Sequence, residues 1–434
     1  MWFDGAVTST VGILGYPLHR HTLTNGLRVI VSPDHSAPVV ALNLWYDVGS
    51  RDELLGQTGL AHLFEHLMFQ GSANVASGEH LATLQANGGS VNATTWFDRT
   101  NYFAAMPTGA LNLALWLEAD RLATLPQALT VENLDNQREV VKEEKRQRYD
   151  NVPYGDVIEH LVALTFPAQH PYGHTTIGSM ADLDAASVQD AISFFTRHYL
   201  PGNAVLTLVG DIEPADAFAR VQKYFGKIPA GNRSQRASVT PLPPHTGVPR
   251  ARTAAPVPAD ACYFTWRLPV RDTQDFNALD LTFSILGDGQ TSRLHRRLVR
   301  EDKIAQAASS SALALIGGNS FGFAYARAMP GTTVADLEYA MVSEIDRLVH
   351  DGPQPAEIER AKAQYEREWL SELSRFDARA DQFGAYATLH GDPQLVNTRI
   401  ADITAITGDD IVAACGRWLR SEQRAVLSYE RTNR

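Results

Sequence analysis

Cysteine is nearly absent from the chain: Cys262 and Cys415 are the only two in 434 residues, and neither lies in a Cys-x-x-Cys pair. A disulfide framework is thereby excluded, and each thiol reads as a small buried apolar residue. No apolar run approaches the ~20 residues that a membrane span requires. The start, Met1-Trp2-Phe3-Asp4-Gly5, has no basic segment leading into an apolar stretch. No signal peptide is therefore expected, no membrane partner either, and the cytoplasm is the default compartment. Lys and Arg form no run that could track phosphates and the net charge is −11, which argues against nucleic acid as a partner. No Gly-rich turn of the G-x-G-x-x-G or P-loop kind precedes a helix, so nucleotide binding has no support.

What is present is an apolar content of 44%, enough for two or three cores at ~100–200 residues per domain. From Pro229 to Pro258 the composition shifts to Pro, Ser, Thr and Arg without apolar periodicity, which reads as an extended linker. The expected organisation is a domain over 1–230, a Pro/Arg-rich linker over 231–257 and a second domain over 258–434. The two long segments echo each other. Ala181-Asp182-Leu183, Asp190 and Phe194-Phe195 precede a β-type run at 203–208, just as Ala401-Asp402-Ile403, Asp410 and Cys415 precede one at 424–429. Likewise the run at 101–107 returns at 323–330, each ending in Met-Pro. The expectation is a duplicated α+β domain.

Within the first segment, alternating and apolar patterns predict strands at 26–31 and 39–46, and a strand at 90–95 pairing with one at 100–105. Helices are expected over about 60–69 (stopped by Gly71), from 110 to about 124 (just ahead of Pro126) and from 131 to 149. The first of these helices reads His62-Leu63-Phe64-Glu65-His66. At ~3.6 residues per turn, positions i, i+3 and i+4 share one face, so both imidazoles and the carboxylate point the same way. Two neutral imidazoles on one face suit Zn²⁺. Glu65 then lies close to the metal without binding it, placed to take a proton from water that the metal acidifies. The H-x-x-E-H order reverses the commoner H-E-x-x-H and is a zinc-protease signature of its own. A catalytic zinc needs a third protein ligand, and the acidic helix at 136–146 offers Glu139, Glu143 and Glu144.

This combination resembles the inverted-zincin family that includes pitrilysin, insulin-degrading enzyme and the mitochondrial processing peptidases. In that family the third ligand closes a pattern like E-R-x-V-x-x-x-E; here Arg138 and Val140 match, and the resemblance assigns the ligand to Glu144. The family's second Glu, two turns earlier, is Gln137 here. Gln can hydrogen-bond but cannot act as a base, which leaves Glu65 as the sole proton carrier. The stretch at 88–95 is similar to the family's edge strand, to which a substrate backbone adds as a further strand, so Asn92 and Ala93 are implied to bind substrate. The likeness covers nearly the whole chain and implies two tandem homologous domains, each a mostly antiparallel sheet packed with helices.

The second segment has no His-x-x-Glu-His, so one zinc site per chain is expected. Relatives grip substrate with an Arg and, two turns on, a Tyr from this half. The matching positions here are Val299 and Gln306, with Arg300 next door and no Tyr before Tyr325. Family members close four such domains around a chamber, and this chain supplies two. The resemblance thus implies a zinc-dependent endopeptidase subunit, acting on peptides or unfolded segments as a heterodimer with a homologous subunit that brings the Arg/Tyr pair. The alternative is a non-catalytic scaffold or peptide-binding subunit of the same family.

Overall fold

A computed structural model describes residues 13–231, 236 and 238–432; the Met1–Gly5 stretch read above lies outside them. In chain order the first half contains β1 (His19–Thr22), β2 (Arg28–Pro33), β3 (Val39–Tyr46), α1 (Leu60–Leu67), α2 (Glu79–Ala86), β4 (Ser90–Thr95), β5 (Thr100–Pro107), α3 (Leu111–Ala128), α4 (Val131–Lys145), α5 (Val157–Thr165), α6 (Met180–Ala185), α7 (Val188–His198), β6 (Ala204–Gly210) and α8 (Pro214–Phe225). The second half follows with β7 (Arg250–Ala255), β8 (Ala261–Leu268), α9 (Gln274–Gly287), β9 (Ala305–Leu313), β10 (Ser320–Ala328), α10 (Val334–Asp351), α11 (Pro355–Leu373), α12 (Phe376–Leu389), α13 (Leu395–Thr404), α14 (Gly408–Trp418) and β11 (Ala425–Arg431).

The strands form two sheets, in the orders β1-β2-β6-β3-β5-β4 and β7-β11-β8-β10-β9. In each, one late strand enters parallel to the first full strand, β6 beside β2 and β11 beside β7, and the remaining pairings are antiparallel. With β1 set aside, the two orders coincide strand for strand. The duplication read from the sequence is therefore one of topology, and the fold is α+β as expected.

β3 reads as a nearly unbroken apolar run because both of its faces are covered. Val40, Leu42, Leu44 and Tyr46 point into a core shared with Leu63 and Phe64 of α1, Leu115 of α3 and Val221 of α8. Ala41 and Trp45 point the other way, onto Trp369 of α11 and Ala380 and Phe383 of α12. A helix pair from the second half thus covers the back of the first sheet. The reverse also holds: Leu161 of α5 packs on Tyr263, Leu427 and Tyr429 of the second sheet, and Val162 and Phe166 meet Phe321.

Three local expectations differ from the structure. α3 continues through Pro126 to Ala128; the proline removes one backbone bond, the missing N–H to the carbonyl four residues back, but it stands only two residues from the helix end, so little helix depends on it. Residues 250–255, read as linker, form β7, whose Arg-Ala-Arg-Thr-Ala-Ala alternates exposed and half-buried positions at the sheet edge. An edge strand buries little, so it lacks the apolar signature that marks inner strands. Finally, α4 gives way after Lys145 to a wider π-helical turn over Arg146–Asp150, closed by Asn151 N donating to Arg146 O at 2.8 Å.

Candidate metal centre

On α1 the apolar residues Leu60, Leu63, Phe64 and Leu67 follow the i, i+3, i+4, i+7 spacing and are all buried in the first core. Each such side chain contributes about 1.5–3 kcal/mol when fully buried, so the apolar stripe fixes the rotation of the helix. His62, Glu65 and His66 are left on the opposite face, partly buried.

The N-terminus of α1 has no cap of its own. Its N-cap residue is Gly59, at φ +89°, with no side chain to accept the free amides. Glu53 takes over: its carboxylate accepts from Gly59 N at 2.9 Å and from Ala61 N at 2.7 Å. That side chain is 0% exposed, and His174 Nε2 sits 2.8 Å from it while also lying 2.9 Å from Ser50 O. Burial alone would lower the His174 pKa, but the hydrogen bond and charge of Glu53 raise it above the ordinary imidazole value. Gly178, at φ +69°, presses on the same turn, and a Cβ there would come within 2.2 Å of Gly59 N.

α4 is capped by Thr130, whose hydroxyl accepts from Asn133 N at 3.1 Å. Arg138 ties the helix down by donating to Leu183 O at 2.8 Å and Ala186 O at 2.7 Å. Leu134, Gln137 and Val141 form its buried stripe. Glu144, one turn beyond Val141, continues that stripe and so faces α1.

The result is convergence. His62 Nε2 lies 3.7 Å and His66 Nε2 3.4 Å from the same oxygen, Glu144 Oε2. One donor atom from each of the three residues falls within 4.8 Å of the others, the one such group among the described residues. A tetrahedron with metal–ligand bonds of about 2.1 Å has edges of about 3.4 Å, so the spacing and the N/N/O donor set both fit zinc. Burial first, then the neighbouring His66, pull the His62 pKa down to about 4, which leaves its lone pair free at neutral pH. A hydrogen bond from His66 holds Glu144 below the usual carboxylate range, against the opposing effect of burial. The second oxygen of Glu144 is 2.8 Å from Arg148 Nη1. Burial raises the Glu65 pKa, opposed by a hydrogen bond from the Thr95 hydroxyl and by the charges of His66 and Arg99.

These groups line one cleft of about 580 Å³, together with Asn92, Ala93, Gln137, Arg148 and Tyr149. β4 ends its sheet, so among the described residues no strand pairs with its outer edge. The Ala93 amide there donates to the Asn92 side-chain oxygen at 2.9 Å. The structure thus brings His62, Glu65, His66, Glu144, Asn92 and Ala93 to one place. It leaves the rival acids elsewhere: Glu139 pairs with Lys142 at 3.0 Å, and Glu143 pairs with Arg146 at 3.0 Å and Gln147 at 2.9 Å. Val299, Arg300 and Gln306 do not line the cleft; Gln306 is turned to Ala328 O at 2.8 Å. Sequence reasoning did not single out Glu53, His174, Arg148 or Tyr149. A glycine N-cap ahead of a motif helix was the available signal for Glu53, since free helix amides demand an acceptor from elsewhere.

Two helix-borne imidazoles and a carboxylate from a second helix, meeting beside an open sheet edge in a duplicated α+β chain, have the make-up of a metallopeptidase. Residues 28–179 match the family model described as Insulinase (Peptidase family M16), and residues 185–365 match that of the Peptidase M16 inactive domain. The chain belongs to peptidase family M16. It is 29% identical over 407 residues to the zinc protease PqqE of Helicobacter pylori, covering 91% of this chain and 90% of that one. The crystal structure of a protease from Helicobacter pylori superposes with a TM-score of 0.88 at 27% identity, covering 96% of this chain and 99% of the other. A peptidase M16 inactive domain from Pseudomonas fluorescens shares the fold, with a TM-score of 0.85 at 17% identity over 96% of this chain and 98% of that one. No helix among the described residues is long and apolar enough to cross a membrane.

Proposed function

We propose that the chain is the zinc-bearing subunit of an endopeptidase that cleaves peptides or unfolded segments, acting in the cytoplasm. His62, His66 and Glu144 hold the ion, and three protein ligands are the count of a catalytic zinc rather than a structural one. When bound, zinc supplies a Lewis acid that polarises a peptide carbonyl and lowers the pKa of water. Glu65 takes the proton of the attacking water at its carboxylate and returns it to the leaving amine. Thr95 steadies that carboxylate, and Gln137 cannot share its task. The peptide lies extended along β4, with Asn92 and Ala93 offering the main-chain and side-chain partners of an added strand.

The observation that carries this reading is the meeting of three donor atoms within 4.8 Å on the face of α1 that also bears Glu65. A homologous partner subunit closes the chamber and brings the Arg/Tyr grip, because Val299 and Gln306 stand where this chain would need those residues.

Metal analysis of the native chain and of Glu65→Gln, with cleavage of an unfolded protein assayed in the presence of the co-purifying partner, tests the reading. Expected are one zinc in each and turnover in the native chain alone. Glu144→Gln should weaken zinc by more than the roughly 10–100-fold seen when groups behind a ligand are removed. A native chain without zinc, or undiminished cleavage by Glu65→Gln, would refute it. Zinc without turnover would leave the scaffold reading in its place.

A further inference from the structure

The cleft has a charged residue that the proposed chemistry leaves unused. Arg148 follows Glu144 by one helical turn and forms an ion pair with it, Nη1 lying 2.8 Å from Glu144 Oε1. Its side chain is nevertheless 72% exposed, so most of the guanidinium fork faces the water of the cleft. Among the described residues it is the only Arg or Lys that lines the cleft. The π-helical turn over Arg146–Asp150 accounts for the placement. In a continued α-helix Tyr149 would swing about 140° away from Glu144; the wider turn keeps Arg148 and Tyr149 side by side on the cleft wall. Such turns commonly occur where a helix must re-aim side chains at a site.

The negative groups nearby are already engaged. Glu144 is held by the two imidazoles and Arg148, Glu65 by Thr95, and the remaining polar wall at Gln70 and Gln137 is neutral. The whole chain carries −11, which taken alone would favour basic ligands. At ~0.15 M salt, however, the Debye length is about 8 Å, so the adjacent guanidinium governs what sits beside it. A planar fork with free donors matches a carboxylate in two-point geometry.

We propose that Arg148 is a specificity-determining residue: it binds a carboxylate of the peptide substrate close to the cleaved bond. This rests on the peptidase reading above. The carboxylate is either an acidic side chain or the terminal carboxylate of a short peptide, and the test separates the two.

The test uses the zinc-loaded, full-length Glu65→Gln chain and fluorescent peptides of one parent sequence. Asp, Asn or Lys is scanned through each position, and every peptide is made with a free or an amidated C-terminus. Dissociation constants are read by anisotropy. A charge-assisted pair of this kind predicts at least about tenfold tighter binding of Asp over Asn at one position, or of free acid over amide. Adding R148Q should reduce that ratio to within twofold with zinc content unchanged, and R148K should recover part of it. The proposal is overturned if Asn and amide peptides bind as well as the acids, or if the preference survives R148Q. It is equally overturned if R148Q loses zinc, since Arg148 would then serve only to hold Glu144. Peptide binding without acid preference would sink this inference alone, whereas a native chain that takes up no zinc would sink the peptidase reading with it.

Discussion

Glu53→Gln should destabilise the protein by about 3 kcal/mol, although Glu53 touches none of the proposed ligands. The native carboxylate receives three hydrogen bonds in a fully buried position: two from the first amides of α1 and one from His174. An amide of the same size leaves no cavity, but only one of its two heads can accept. Its NH₂ must face either a helix amide or the His174 N–H, donor against donor. The loss of one charge-assisted bond is worth about 1.5–3 kcal/mol, and the orphaned buried donor adds about 1–3 kcal/mol. Removing the negative charge from the positive end of the helix contributes up to a further ~1 kcal/mol, but burial raises the Glu53 pKa above the ordinary carboxylate range despite its hydrogen bonds, so relief of that buried charge offsets part of the sum. Relaxation of the loop recovers part of this, leaving about 3 kcal/mol, or more than a hundredfold in the folding equilibrium. Urea denaturation followed by circular dichroism, on metal-free protein so that zinc does not mask the effect, measures it. Because α1 carries both imidazoles, zinc affinity by chelator competition should fall as well. A change below about 0.5 kcal/mol with zinc affinity intact would show that Gly59 and Ala61 find other acceptors, and the account of how α1 is held would be wrong.

Two further outcomes follow from the same corner of the molecule. The folded-state pKa of His174 is raised by Glu53, so the native state binds more protons than the unfolded chain across that window. The stabilisation from this pair is therefore complete below the unfolded value of ~6.5 and fades as pH rises through the elevated folded pKa. The stability difference between the native chain and His174→Gln should shrink as the pH rises from about 6.5 through the elevated folded value, and a difference that grows instead would overturn the assignment. Gly178→Ala should lower stability by about 2 kcal/mol or more, because it combines a left-handed backbone with a Cβ driven onto Gly59. Thermal unfolding of a variant indistinguishable from the native chain would show that the loop can withdraw freely.

Much of this architecture was legible because it is local. β3 and β4 fall at the residues their patterns marked, since alternation and unbroken apolar runs report burial directly. The Met-Pro echo and the repeated helix–strand endings recorded a duplication that the two sheets display strand for strand. On the site, the face of α1 followed from periodicity alone, while the choice of Glu144 over its neighbours came from the family resemblance; in the structure Glu144 continues the stripe of Leu134, Gln137 and Val141. The features that escaped are those set by distant packing. β7 is an edge strand with nothing apolar to announce it. Glu53 and His174 are far apart in sequence and become partners only through the loop that ends at Gly178. The covering of the first sheet by α12 leaves no mark in periodicity, because an apolar helix face does not say which sheet it will meet.

That crossed covering bears on what the duplication means. Each sheet borrows the roof over its back from the other copy: Phe383 shelters Trp45, and Leu161 shelters Tyr263. Neither half is then a free-standing module. An isolated half would present a bare apolar sheet face to solvent, a surface of the kind that drives association rather than independent folding.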